Sequence, residues 1–89
     1  MTTPGYVCAH THSMRNRDEL LSGERCGCFC CGAIFFPEEV KEWVDEEKGI
    51  GQTALCPKCG IDAVIGSKSG YPVTAEFLGI MKTHWFRRD

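Results

Sequence analysis

An 89-residue chain that is 43% hydrophobic makes one domain with a modest core, and chains this short usually need a staple such as a structural metal. A formal charge of −2 excludes the strongly basic profile of a general phosphate-backbone binder. Seven cysteines, an odd number, exclude a complete set of internal disulfides; paired cysteines in a reducing compartment signal metal or redox chemistry instead.

The first ten residues show no basic start followed by an apolar run, so no secretory signal is expected. No apolar stretch reaches the roughly 20 residues of a membrane span, and a cytoplasmic location is the expectation. Residues 1–12 read as an irregular N-terminal segment, and residues 13–89 as a single zinc-stabilised domain. The segment ends in Cys8-Ala9-His10-Thr11-His12. In an extended chain residues 8, 10 and 12 point to one side, where Cys26 or His84 would complete a second metal site. The alternative is a fraying tail with incidental histidines.

A first helix is predicted over 13–22, capped by Ser13 or Asn16 and stopped by Gly23. The run after Gly32 reads as a short strand over 33–36. A second helix is predicted over 38–47. Pro37 suits its first turn, Glu38 and Glu39 favour its positive end, and Val40, Trp43 and Val44 recur at helical spacing. Residues 38–47 carry six acids against Lys41 alone, a net −5, whereas residues 48–89 carry six basic and three acidic residues, a net +3. The acids form either a solvated face or a docking surface for a basic protein.

Residues 52–55 read as a strand, 61–65 as a strand or a short helical turn, and 66–70 as a turn-rich loop. A last helix is predicted over 74–87, with Thr74 as cap and Val73 stapled to Leu78. Phe77, Met81 and Trp85 stand four apart on one face of it. Val40, Trp43, Val44, Leu55, Ile65, Phe77, Leu78, Met81 and Trp85 are the expected core.

Two motifs carry the chemistry. Cys28-Phe29-Cys30-Cys31-Gly32 and Cys56-Pro57-Lys58-Cys59-Gly60 are both C-x-x-C-G knuckles, with twenty-four residues between them. Each such turn offers two sulfurs to one side of a metal, and two turns complete a tetrahedral zinc shell of Cys28, Cys31, Cys56 and Cys59, one ion per chain. Redox dithiols and an iron–sulfur cluster are the alternatives. A closed four-thiolate shell leaves no position for water and is structural. Cys26 with Cys28 would be a tighter chelate and is the rival register; Cys30 is expected to point away.

The run from Cys26 to Phe86 resembles a group of small bacterial cytoplasmic proteins of zinc-ribbon character. The resemblance lies in Cys26-Gly27-Cys28-Phe29-Cys30-Cys31, Trp43 with Asp45, residues 53–62 (TALCPKCGID), Val64 to Ser67, Ser69 to Pro72, Phe77-Leu78 and Trp85-Phe86. It implies a zinc-ribbon-like fold and supports Cys28, Cys31, Cys56 and Cys59 as ligands. Cys30 departs from the aromatic residue expected at its position. No activity comes with the resemblance.

The expected architecture is therefore a small α+β zinc-ribbon or treble-clef-like domain with two zinc knuckles and two or three short helices. The leading functional expectation is a cytosolic protein-interaction or regulatory module of the zinc-finger kind. A nucleic-acid-binding protein using the basic C-terminal half, where Trp85 and Phe86 interleave with Arg87 and Arg88, is the alternative. A hydrolase or nuclease comes third. It would need an open ligand position and a base; the possible residues are His10, His12, Asp62 and His84, with His12 or His84 in a pocket with Asp62, and no H-N-H or H-x-x-x-D spacing occurs among them.

Overall fold

The structure, a computed structural model, describes residues 5–86. Strand β1 (Cys26–Cys28) runs into the first cysteine turn and β2 (Ile34–Phe35) leaves it, the two pairing antiparallel with Cys26 opposite Phe35. Strand β5 (Val64–Gly66) leaves the second turn and pairs antiparallel with the other edge of β1, Cys28 opposite Val64. The order β2-β1-β5 makes β1 the central strand, and all three of its residues are buried. The sheet thus fixes the spacing of the two turns through the backbone ladder of one strand.

Helix α3 (Ala75–Trp85) packs across this sheet. The Phe77 N–H donates to Thr74 Oγ1 at 3.2 Å, so Thr74 caps the helix as predicted. Leu78 and Met81 are fully buried, with Phe77 and Trp85 half-buried beside them. The approach is close enough that a side chain in β1 would force its neighbours on the helix side to shift. A Cβ on Gly27 would stand 2.7 Å from Leu78 Cδ1 and 2.9 Å from Val73 Cγ1. Residue 87 of the predicted helix lies outside the described residues.

The predicted helix over 38–47 does not form. Pro37–Glu39 makes one 3₁₀ turn, in which the Glu39 carboxylate accepts the Phe36 N–H at 2.8 Å. The chain then builds an antiparallel hairpin of β3 (Trp43–Glu47) and β4 (Ile50–Ala54), with Glu47 opposite Ile50. Lys48 and Gly49 close it with φ of 55° and 83°, the two positive values a type I′ turn requires. Gly49, just past the end of the predicted helix, is the second residue of the hairpin turn. Val44, assigned to the core, is exposed on β3. Trp43 is half-buried under Arg17, whose guanidinium sits 4.8 Å from the ring centre and donates to the Gly51 carbonyl at 2.9 Å.

The N-terminal segment is also ordered differently from expectation. Gly5–Cys8 form one turn of helix, α1, continued by a 3₁₀ turn over Ala9–Ser13, in place of an irregular tail. Ala9 is fully buried, and the Trp85 indole N–H donates to the Tyr6 carbonyl at 3.2 Å. The predicted helix over 13–22 shrinks to α2 (Arg17–Leu21). Asn16 precedes it but makes no capping bond. Its side chain is instead buried, donating to the Val64 carbonyl at 2.8 Å and the His12 carbonyl at 2.9 Å, and accepting the Ala54 N–H at 3.3 Å. One side chain therefore ties the strand before Cys56 to the strand after Cys59.

Of the expected core, Val40, Ile65, Leu78 and Met81 are buried, while Trp43, Phe77 and Trp85 are partly so. Leu55 is half-buried. Leu20, Phe29, Phe35 and Val64 supply much of the remainder. No helix among the described residues is long and apolar enough to cross a membrane.

Candidate metal centre

The two cysteine turns repeat one local geometry. In the first, Gly32 N–H donates to the Cys28 carbonyl at 2.8 Å and Cys28 N–H to the Ala33 carbonyl at 2.9 Å. In the second, Gly60 N–H donates to the Cys56 carbonyl at 2.9 Å and Cys56 N–H to the Ile61 carbonyl at 2.9 Å. Gly32 and Gly60 turn the chain back with φ of 81° and 79°, values that cost a residue with a Cβ about 1–2 kcal/mol. An amide two residues on covers the first sulfur of each turn: Cys30 N–H on Cys28 Sγ and Lys58 N–H on Cys56 Sγ, both at 3.3 Å.

The turns face each other. The sulfurs of Cys28, Cys31, Cys56 and Cys59 all lie within 4.8 Å of one another. Cys28 Sγ is 3.6 Å from Cys59 Sγ, and Cys31 Sγ is 3.7 Å from Cys56 Sγ. These contacts are far longer than the roughly 2.05 Å of a disulfide. A tetrahedron with metal–sulfur bonds of about 2.3 Å has edges of about 3.8 Å, so the four sulfurs match the shell of one small ion. They leave no room between them for the irons and sulfides of a cluster. Four cysteines in this arrangement can hold a metal ion with every ligand position filled by the protein.

As thiols the four differ. Burial pushes Cys28 and Cys56 up, against the lowering effect of the amides that bond them. Burial also acts on Cys31, but the Ala33 amide and the neighbouring thiols outweigh it and hold Cys31 below its ordinary value. A divalent cation at the centre reverses this competition by favouring thiolate at every position.

The other cysteines and the histidines lie elsewhere. Cys26, the rival ligand, is fully buried in β1, paired across to Phe35 and Gly66. Burial, helped by Glu38 and Glu39, pushes its thiol up to about 12. Cys30 packs half-buried against the core. His10 lies over Trp85 with ring centres 4.1 Å apart. His12 Nδ1 meets both carboxylate oxygens of Glu19 at 3.1 Å. His84 touches Tyr6 and Trp85 edge-on at 4.9 and 4.7 Å, and Asp62 is exposed beyond the second turn. The helical path of residues 5–13 explains the dispersal, since residues 8, 10 and 12 share a side only in an extended chain. Among the described residues, the four-cysteine set is the one group of three or more His, Cys, Asp or Glu whose ligand atoms converge.

Asn16 is the supporting residue that the sequence did not single out for this site. Asparagine before a helix signals a cap, and nothing local distinguishes a cap from a buried bridge. Compared with known protein families, curated proteins and solved structures, the chain gives no match.

Proposed function

We propose that the chain is a zinc-stapled interaction module of the cytoplasm, with one zinc ion per chain held by Cys28, Cys31, Cys56 and Cys59. The observation that carries the metal assignment is the sulfur tetrahedron, whose 3.6 and 3.7 Å edges suit a single zinc–thiolate centre. A shell closed by four protein sulfurs offers no site for an activated water, so the metal's role is to hold the fold. The resemblance of residues 26–86 to small bacterial zinc-ribbon proteins agrees with that role.

The interaction role draws on the β3–β4 hairpin. The outer edge of β4 is occupied by Asn16 and Arg17, which bond the Ala54 N–H and the Gly51 carbonyl. Strand β3 presents Val44 and Glu46 to solvent, with Glu42 before them and Ile50 across the turn. Apolar and acidic groups side by side favour a protein partner with basic residues at its contact face. Zinc measured at one per chain in purified protein, together with a partner captured by the native protein and lost on Glu42→Lys/Glu46→Lys, is the expected result. A metal-free preparation, or capture unaffected by the charge reversals, rejects the respective half of the proposal. Binding to single-stranded nucleic acid that tightens steeply as salt falls would favour the basic C-terminal half instead.

A further inference from the structure

The four cysteines are not equivalent toward solvent. Cys31 and Cys59 are exposed, whereas Cys28 and Cys56 are buried. The contacts between the two turns each join one of either kind: exposed Cys59 to buried Cys28 at 3.6 Å, and exposed Cys31 to buried Cys56 at 3.7 Å. The buried sulfurs are also covered by amides of their own turns. A small oxidant arriving from water therefore meets the second cysteine of each turn first, with a buried thiolate waiting behind it.

We propose that this centre is a modification site for hydroperoxides, which enter at Cys31 and Cys59 and replace the metal with two disulfides that cross between the turns, Cys31–Cys56 and Cys28–Cys59. The inference rests on the four-cysteine metal site proposed above. The Cys31 thiolate attacks one peroxide oxygen, the O–O bond breaks, hydroxide leaves, and Cys31 becomes a sulfenic acid. The Cys56 thiolate then attacks the Cys31 sulfur, the S–O bond breaks, and a second hydroxide leaves. The two sulfurs have given two electrons to the peroxide, and two protons from solvent convert the hydroxides to water. The same sequence at Cys59 and Cys28 consumes a second peroxide. Once two thiolates are lost the ion has half its ligands and leaves.

The spacing C-x-x-C by itself favours closure within each motif, Cys28 with Cys31 and Cys56 with Cys59. The cross-turn contacts favour the other pairing: either pairing joins an entry thiol to a resolving thiol, but the sulfurs that already touch, at 3.6 and 3.7 Å, lie in different turns. The consequences differ. Disulfides within the turns leave the two turns unlinked after the metal departs. Disulfides across them keep the turns docked, so the fold persists without zinc.

Tryptic mapping separates the two pairings in the unmodified, zinc-loaded protein. Cleavage after Arg25, Lys41, Lys48, Lys58 and Lys68 places Cys28 and Cys31 on peptide 26–41, Cys56 on 49–58 and Cys59 on 59–68. Hydrogen peroxide should release one zinc per chain to a chromogenic chelator and join all three peptides in one species that falls apart on reduction. A sulfenic-acid trap added at limiting peroxide should mark Cys31 and Cys59 and leave peptide 49–58 unmarked. Peptide 49–58 joined to 59–68, with 26–41 separate, overturns the proposal, as does zinc that stays bound in excess peroxide. A preparation without zinc at the outset refutes the metal site itself, an outcome distinct from wrong pairing in a zinc-loaded chain.

Discussion

Replacing Asn16 with alanine separates the support of the metal centre from its ligands. The side chain is 3% exposed and makes three hydrogen bonds, to the carbonyls of His12 and Val64 and from the amide of Ala54. Truncation strands all three groups where water reaches them poorly. At about 1 kcal/mol for each bond, the loss is about 3 kcal/mol. Because Ala54 and Val64 flank the second knuckle, the same loss bears on the metal. Where binding and folding are coupled, apparent zinc affinity falls by up to about a hundredfold. Asn16→Asp is the informative companion. It keeps the shape and the acceptor for Ala54 but turns a carboxylate toward two carbonyls, so it should be no better than alanine. Urea unfolding followed by tryptophan fluorescence at fixed free zinc gives the stability, and competition with a chelator gives the affinity. An Asn16→Ala protein within about 0.5 kcal/mol of the parent, or an Asn16→Asp protein as stable as the parent, would refute the bridging role.

Three further outcomes are expected. Cys28→Ser or Cys56→Ser should abolish stoichiometric zinc in metal analysis, whereas Cys30→Ser should retain one ion per chain; zinc retained without Cys28 would reassign the ligands. Gly27→Ala should lower the urea midpoint by the equivalent of about 1–3 kcal/mol, since its methyl group meets Leu78 and Val73 inside 3 Å; an unchanged midpoint would mean the helix–sheet contact is looser than described. Burial holds Cys26 protonated, with its thiol raised from 9.0 to about 12. Between those values the native state keeps a proton that the unfolded chain has lost, so this group makes stability fall as pH rises. Iodoacetamide at pH 9 should therefore label Cys8 and Cys30 but spare Cys26 until urea is added, and prompt labelling of Cys26 in the folded protein would contradict its burial.

The parts of the fold legible in the sequence were those written in local chemistry. The paired C-x-x-C-G motifs specify turns whose hydrogen bonds close within six residues, and Thr74 with Val73 and Leu78 marks a helix start through contacts only a few residues apart. The hairpin is not legible in the sequence because Val40, Trp43 and Val44 fit helical spacing and the acids around them tolerate a helix. The forces that override this pattern are remote in sequence. Arg17 lies over Trp43. Thr53 Oγ1 donates to Asp45 at 2.7 Å and accepts the Arg15 N–H at 2.8 Å. Both Asp45 and Arg15 hold positive φ, at 56° and 49°, a conformation that such partners sustain and that composition does not announce. Cys26 shows the same limit on the site itself. Beside Cys28 it is a plausible chelator by spacing, and only the pairing of β1 on both edges turns it into the core.

The two cysteine turns match bond for bond, yet they are anchored differently. Phe29 in the first is 1% exposed, flanked by His10 and Phe86, and its N–H bonds the Ala63 carbonyl. Pro57 and Lys58 at the same places in the second stand in solvent. The middle residues of the first turn are thus rooted in the core, whereas those of the second face water. A chelator would reach a metal ion held here from the water-facing side of Pro57 and Lys58, so the rate of zinc exchange should follow changes at those two residues, whereas changes at Phe29 should act on the stability of the whole domain.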